Sequence, residues 1–182
     1  MNKEDIIQTV ENWVEKVVVG LNFCPFAQRE MARNRVRFAV SEAQDWDWLV
    51  RDLEAELALL VSDESVETTL LIHPGVLQDF YDYNDFLDVA HGLLIEQELE
   101  GVIQIASFHP DYRFADTLPG DVENYTNKSP YPMLHLIREA SLEEAIANYP
   151  DVDLIPDRNI AKAEALGAEN MKALLQACFV KT

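Results

Sequence analysis

Cys24, His73 and His109 are the side chains of this chain best suited to covalent or metal chemistry. Two strand-like segments end in His-Pro, at Ile-His73-Pro74 and Phe-His109-Pro110, and a third apolar stretch ends at Leu154-Ile155-Pro156 before Asp157-Arg158-Asn159. If these strands run parallel, their ends share one edge of one sheet, where open α/β sheets bind ligands. Cys24 precedes Pro25, and a helix starting there and packing antiparallel to the first strand would bring the cysteine to the same edge. Backbone N–H groups at a helix start favour thiolate over thiol, as do nearby imidazoles. The arrangement predicts Cys24 as nucleophile and His73 or His109 as general base. Its rival is a zinc site formed by Cys24, His73 and His109; otherwise no cofactor is expected. The third reading is inert. Cys24 lies in Phe23-Cys24-Pro25-Phe26, and free cysteines are often buried.

Asp111 to Tyr131 has no hydrophobic period and should drape over that edge, since long loops in compact domains tend to be functional. Arg113, Lys128 and Ser129 in this loop, with Arg158 and Asn159, are the expected substrate-binding donors for a carboxylate or phosphate. His91 and His135 read as surface or packing residues on helices. No glycine-rich phosphate loop, dinucleotide fingerprint, His-Glu-x-x-His or Gly-x-Ser-x-Gly occurs.

The elements that must position these residues follow from periodicity. Residues 4–20 predict a helix, 25–34 a short one, and 36–40 the first strand. Apolar residues at steps of three and four predict a helix over 45–62. Strands are expected at 68–72 and 102–108, with a helix from Asn84 to Glu100 between them. Pro132 is expected to restart a helix, 152–155 to form a fourth strand, and Asp157 to cap a last helical region. The expectation is one α/β domain over residues 1–182, three-layer-like, with a small, mainly parallel sheet of three to four strands flanked by helices.

Composition narrows the partners. The chain has 182 residues and a net charge of −19, from 14 basic and 33 acidic residues. From Asp52 to Asp111 there are 14 acids and no Lys or Arg. Such a chain repels phosphate backbones, so no nucleic acid is expected. No run approaches the ~20 apolar residues of a spanning helix, so no membrane is expected either. Two cysteines make no disulfide framework, and the polar start carries no leader pattern, so a cytoplasmic location is expected. The expected partner is an anionic small-molecule substrate, with room for a homo-oligomer. The competing class is a non-catalytic, acidic protein-interaction module.

Several motifs carry a resemblance: Gly20-Leu-Asn-Phe-Cys-Pro-Phe26, the two His-Pro ends, Ser129-Pro-Tyr-Pro-Met-Leu-His-Leu-Ile-Arg138, and Ile155-Pro-Asp-Arg-Asn-Ile160. With these the chain resembles a bacterial family catalogued as domain of unknown function 1415, over nearly its whole length. That resemblance implies a single-domain bacterial protein and implies no activity.

Overall fold

The computed structural model describes residues 2–180. Strands β1 (Val36–Val40), β2 (Thr68–Ile72), β3 (Ile103–Phe108) and β4 (Met133–Arg138) form one sheet in the order β1-β2-β4-β3. β1 and β2 are parallel, whereas β4 is antiparallel to both of its neighbours. The sheet is therefore mixed, not mainly parallel. β1, β2 and β3 still point the same way, because β4 reverses direction between β2 and β3. The expected shared edge survives this correction.

Alternation along the strands builds two cores. Ala39, Leu71, Ile103, Ile105, Leu134 and Leu136 face α3 (Trp46–Ser62) and α4 (Phe80–Glu96). Phe38, Leu70, Ile72, Met133 and Phe108 face the other way, towards α1 (Lys3–Trp13), α6 (Ile155–Leu166) and α7 (Ala168–Gln176). Helices thus cover both faces. α3 owes its seat to Leu49, Leu53, Leu57 and Leu60, fully buried at helical spacing. Each such leucine cut to alanine costs about 2–5 kcal/mol.

Four elements depart from the sequence expectation. The segment after Pro132 is strand β4, and a helix, α5 (Glu139–Ala147), follows it. Residues 152–155 form no strand: Val152–Leu154 is a 3-10 turn leading into α6, with Pro156 in the first turn of that helix, where its missing N–H costs nothing. The first helix is not uniform either. After α1 the backbone widens into a π-helical stretch, Val14–Val19, closed by Gly20 N–H donating to Glu15 O at 2.9 Å. α4 begins earlier than expected because Asp79, not Asn84, caps it, accepting from Tyr81 N at 2.8 Å and Asp82 N at 3.3 Å.

The short α2 (Ala27–Ala32) lies between Cys24 and β1. No helix among the described residues is long and apolar enough to cross a membrane.

Candidate functional site

Ile72 and Phe108 both pair with Met133, so His73 and His109, next in sequence, flank Pro132 at one edge of the sheet. His73 N–H donates to Pro132 O at 3.0 Å. Tyr83 of α4 sits between the two imidazoles, with ring centroids 5.9 Å from His73 and 5.0 Å from His109. Its hydroxyl donates to Met133 O (2.8 Å) and accepts from Phe108 N (3.0 Å), which ties helix to sheet. Burial pushes that hydroxyl's pKa well above its usual value.

The two histidines have different chemistry. His109 Nδ1 accepts from Asp111 N–H at 3.0 Å and its Nε2–H donates to Leu77 O at 3.1 Å. That geometry fixes a neutral ring with both nitrogens serving backbone. Burial pushes its pKa below the usual value, against smaller opposing contributions from the Leu77 carbonyl, Asp111 and Asp79. His73 Nδ1–H donates to Val76 O at 3.2 Å, while Nε2 has no partner. The residue is 0% exposed, and burial lowers its pKa to about 4. A general base needs a lone pair within reach of substrate. In this conformation the lone pair of His109 is taken and that of His73 is sealed off.

Cys24 is partly buried. Burial raises its pKa, and backbone N–H groups of Phe26 and Ala27 offset this only in part. The resting form at neutral pH is therefore the thiol, not the activated thiolate that the sequence suggested. Native Cys24 is expected to react with iodoacetamide at pH 7 roughly tenfold or more slowly than an exposed cysteine, with a rate that keeps rising with pH beyond the point where an ordinary thiol levels off and is unchanged by chelator. A rate that titrates below pH 8 would contradict this. Among the described residues no group of three or more His, Cys, Asp or Glu side chains is placed to hold a metal ion. The zinc alternative on Cys24, His73 and His109 thus has no assembled ligand set.

The expected donors divide. Ser129 is fully buried and its hydroxyl donates to Tyr131 O at 2.7 Å, so it braces the chain instead of facing a ligand. Lys128 donates to Pro119 O at 3.2 Å and lies 4.8 Å over the Tyr125 ring. Burial lowers its pKa. Arg158 is exposed and pairs with Asp151 at 3.5 Å. Asn159 donates to Phe23 O at 2.7 Å, joining α6 to the residue before Cys24. Arg113 differs from these. Its guanidinium donates to the Tyr81 hydroxyl and sits 5.3 Å over that ring.

Two clefts open beside the loop. The first, about 290 Å³, lies between the start of α4 (Phe80, Tyr81, Asn84) and residues 113–117. The second, about 450 Å³, lies between the loop and the first turns of α6, with Pro156, Asn159 and Ile160 on the helix side. They share Phe114 and Thr117. Phe80 connects the first cleft to the histidines, its ring 5.4 Å from His109 and 6.3 Å from Tyr83.

Residues 5–173 match the family described as Protein of unknown function (DUF1415). The chain belongs to that family. No curated protein and no solved structure matches it. For this DUF1415 member, then, the site must be argued from its own residues. One that sequence reasoning missed is Asn124. Fully buried, it accepts from Phe114 N (3.0 Å) and Thr117 Oγ1 (2.9 Å) and donates to Leu118 O (2.8 Å). It holds the wall that both clefts share, and only the absence of hydrophobic period in the loop around it hinted that a polar residue would organise it.

Proposed function

We propose that the protein binds a small anionic metabolite at this sheet edge, in the cleft between the start of α4 and residues 113–117, with Arg113 as the recognising cation. One observation carries the reading. In a chain with 33 acidic residues, Arg113 makes no ion pair among the described residues, and a tyrosine holds it in place. Arg29, Arg35, Arg37 and Arg158 are each paired with a carboxylate, Arg138 is spent on backbone carbonyls, and Arg33 and Arg51, which make no ion pair with a described residue either, line neither cleft. Arg113 is also the only cation among the residues lining the two clefts. A guanidinium fixed over an aromatic ring keeps its remaining N–H groups free for a carboxylate or phosphate. Asn84 adds a neutral donor in the same cleft.

A cavity of about 290 Å³ suits a small ligand, at the lower end of the ~300–1,000 Å³ usual for ligand pockets. Asp116, also in the lining, sets a limit on how much negative charge the cleft accepts. The reading is one of recognition: the protonated Cys24 and the two committed histidines lend no support to a covalent step with an imidazole base.

Calorimetric titration with inorganic phosphate, short mono- and dicarboxylates and sugar phosphates tests the proposal. At least one class should bind, and Arg113→Ala should weaken it by roughly 10- to 100-fold, the worth of a charged hydrogen-bonding group. Arg113→Lys should restore the charge and only part of the affinity, because it lacks the fork. Equal affinity in wild type and Arg113→Ala, or binding of none of these anions, would remove the proposal.

A further inference from the structure

The second cleft differs from the first in charge: its one charged lining residue is Glu123. Its apolar walls are Phe114, Pro156 and Ile160. Its side-chain donors are largely engaged with protein acceptors, each of the two amides keeping one N–H. Asn127 Nδ2 donates to Ser107 O at 3.2 Å and Asn159 Nδ2 to Phe23 O at 2.7 Å. The single hydrogen of Thr117 is shared by Phe114 O and Asn124 Oδ1, both at 2.9 Å. Thr126 donates to Glu123 O at 2.8 Å. Beside one N–H of each amide, the open groups are acceptors: the Glu123 carboxylate, which makes no hydrogen bond or ion pair with a described residue, and Asn159 Oδ1.

We infer that this cleft is a second binding site, for an organic cation: an ammonium group on an aromatic or aliphatic body. An anion would be repelled by the Glu123 carboxylate with only the second N–H of Asn127 and of Asn159 to offset it, whereas an ammonium brings three donors to that carboxylate and to Asn159 Oδ1. Glu123 supplies the charge, and Phe114, Pro156 and Ile160 supply apolar contact to the body. The volume of about 450 Å³ lies well within the range of small-molecule sites. Lys128, next in sequence to Asn127 of the lining, does not occupy the role, since it is tied to Pro119 O and lies over Tyr125. The walls are preformed, with Asn124 fixing the loop side and the Asn159–Phe23 bond fixing α6, so little ordering opposes binding.

This inference does not depend on what fills the Arg113 cleft. It is tested on the whole protein with 2-phenylethylamine, 2-phenylethanol and 3-phenylpropionate as matched probes, by calorimetry. The amine should bind about tenfold or more tightly than the alcohol, and the acid least of all. Glu123→Gln should bring the amine down to the level of the alcohol. Ile160→Trp, which fills the cleft, should abolish amine binding while leaving anion binding at Arg113 intact, and Arg113→Ala should leave the amine unaffected. An amine that binds no better than the alcohol, keeps its affinity in Glu123→Gln, or loses it in Arg113→Ala would overturn the inference. Circular dichroism on each variant separates loss of site from loss of fold.

Discussion

Replacing Asn124 by alanine should destabilise the loop over residues 109–131 by about 1–3 kcal/mol. The substitution strips Phe114 N of its acceptor and Leu118 O of a donor, while the Thr117 hydroxyl keeps Phe114 O. Leaving a buried polar group unmatched costs about 1–3 kcal/mol, and of these groups Phe114 N is the one that solvent reaches least easily, because Leu118 is exposed. Asp at this position does no better, since it keeps acceptors but cannot donate to Leu118 O and adds a buried charge. Amide hydrogen exchange checks the result. Protection at Phe114 and at His109, whose N–H bonds Asn127 O at 3.3 Å, should fall by about tenfold or more, together with affinity at both clefts. Protection that stays at the wild-type level would mean the wall is held by something other than Asn124.

Acid should unfold the protein earlier than its carboxylates alone require. His73 has a folded pKa of about 4, depressed below the unfolded value of 6.5, so the unfolded chain takes up the proton first. Stability is then complete above pH 6.5 and declines as pH falls from 6.5 towards 4. Over that window His73 alone accounts for about 3 kcal/mol. His109 acts in the same direction. So does His135, also shifted to about 4 by burial, whose Nε2 meets Thr68 Oγ1 at 2.6 Å. Urea denaturation at half-unit steps of pH should show the slope beginning near 6.5, before most carboxylates titrate. His73→Gln, which titrates nowhere in this range, should lessen it by roughly the share of one histidine. A flat profile from pH 7 down to 5 would show that these rings are more hydrated than the structure has them.

The placement of His73 and His109 was legible because proline cannot continue a central strand, so each His-Pro marks an end. Their roles were not legible. Whether an imidazole serves a substrate or a backbone depends on Leu77 O, Val76 O and Asp111 N, which no spacing rule brings together. β4 was misread for a related reason. Met133, Leu134, Leu136 and Ile137 match a helical face as well as a strand covered on both sides, and short apolar runs do not separate the two. Only the pairing with both β2 and β3 decides it. Residues 152–155 failed in the opposite way, as Pro156 fits a helix start no less than a strand end. His135 followed β4: expected on a helix surface, it lies between Leu70 and Ala106 in the sheet. Arg113 was named from its type and from its place in the loop that leaves this edge. Its lack of an acidic partner is a tertiary fact.

The most direct measurement is NMR of the Arg113 side chain. In 15N-labelled protein titrated with the tightest-binding anion of the calorimetric panel, the Arg113 Nε–Hε resonance should shift and saturate with the calorimetric affinity, and the same titration of Arg113→Ala should show no saturable change around Asn84 and Thr117. An Arg113 resonance that stays in place while the anion shifts residues elsewhere would show that the protein's anion site is not this cleft.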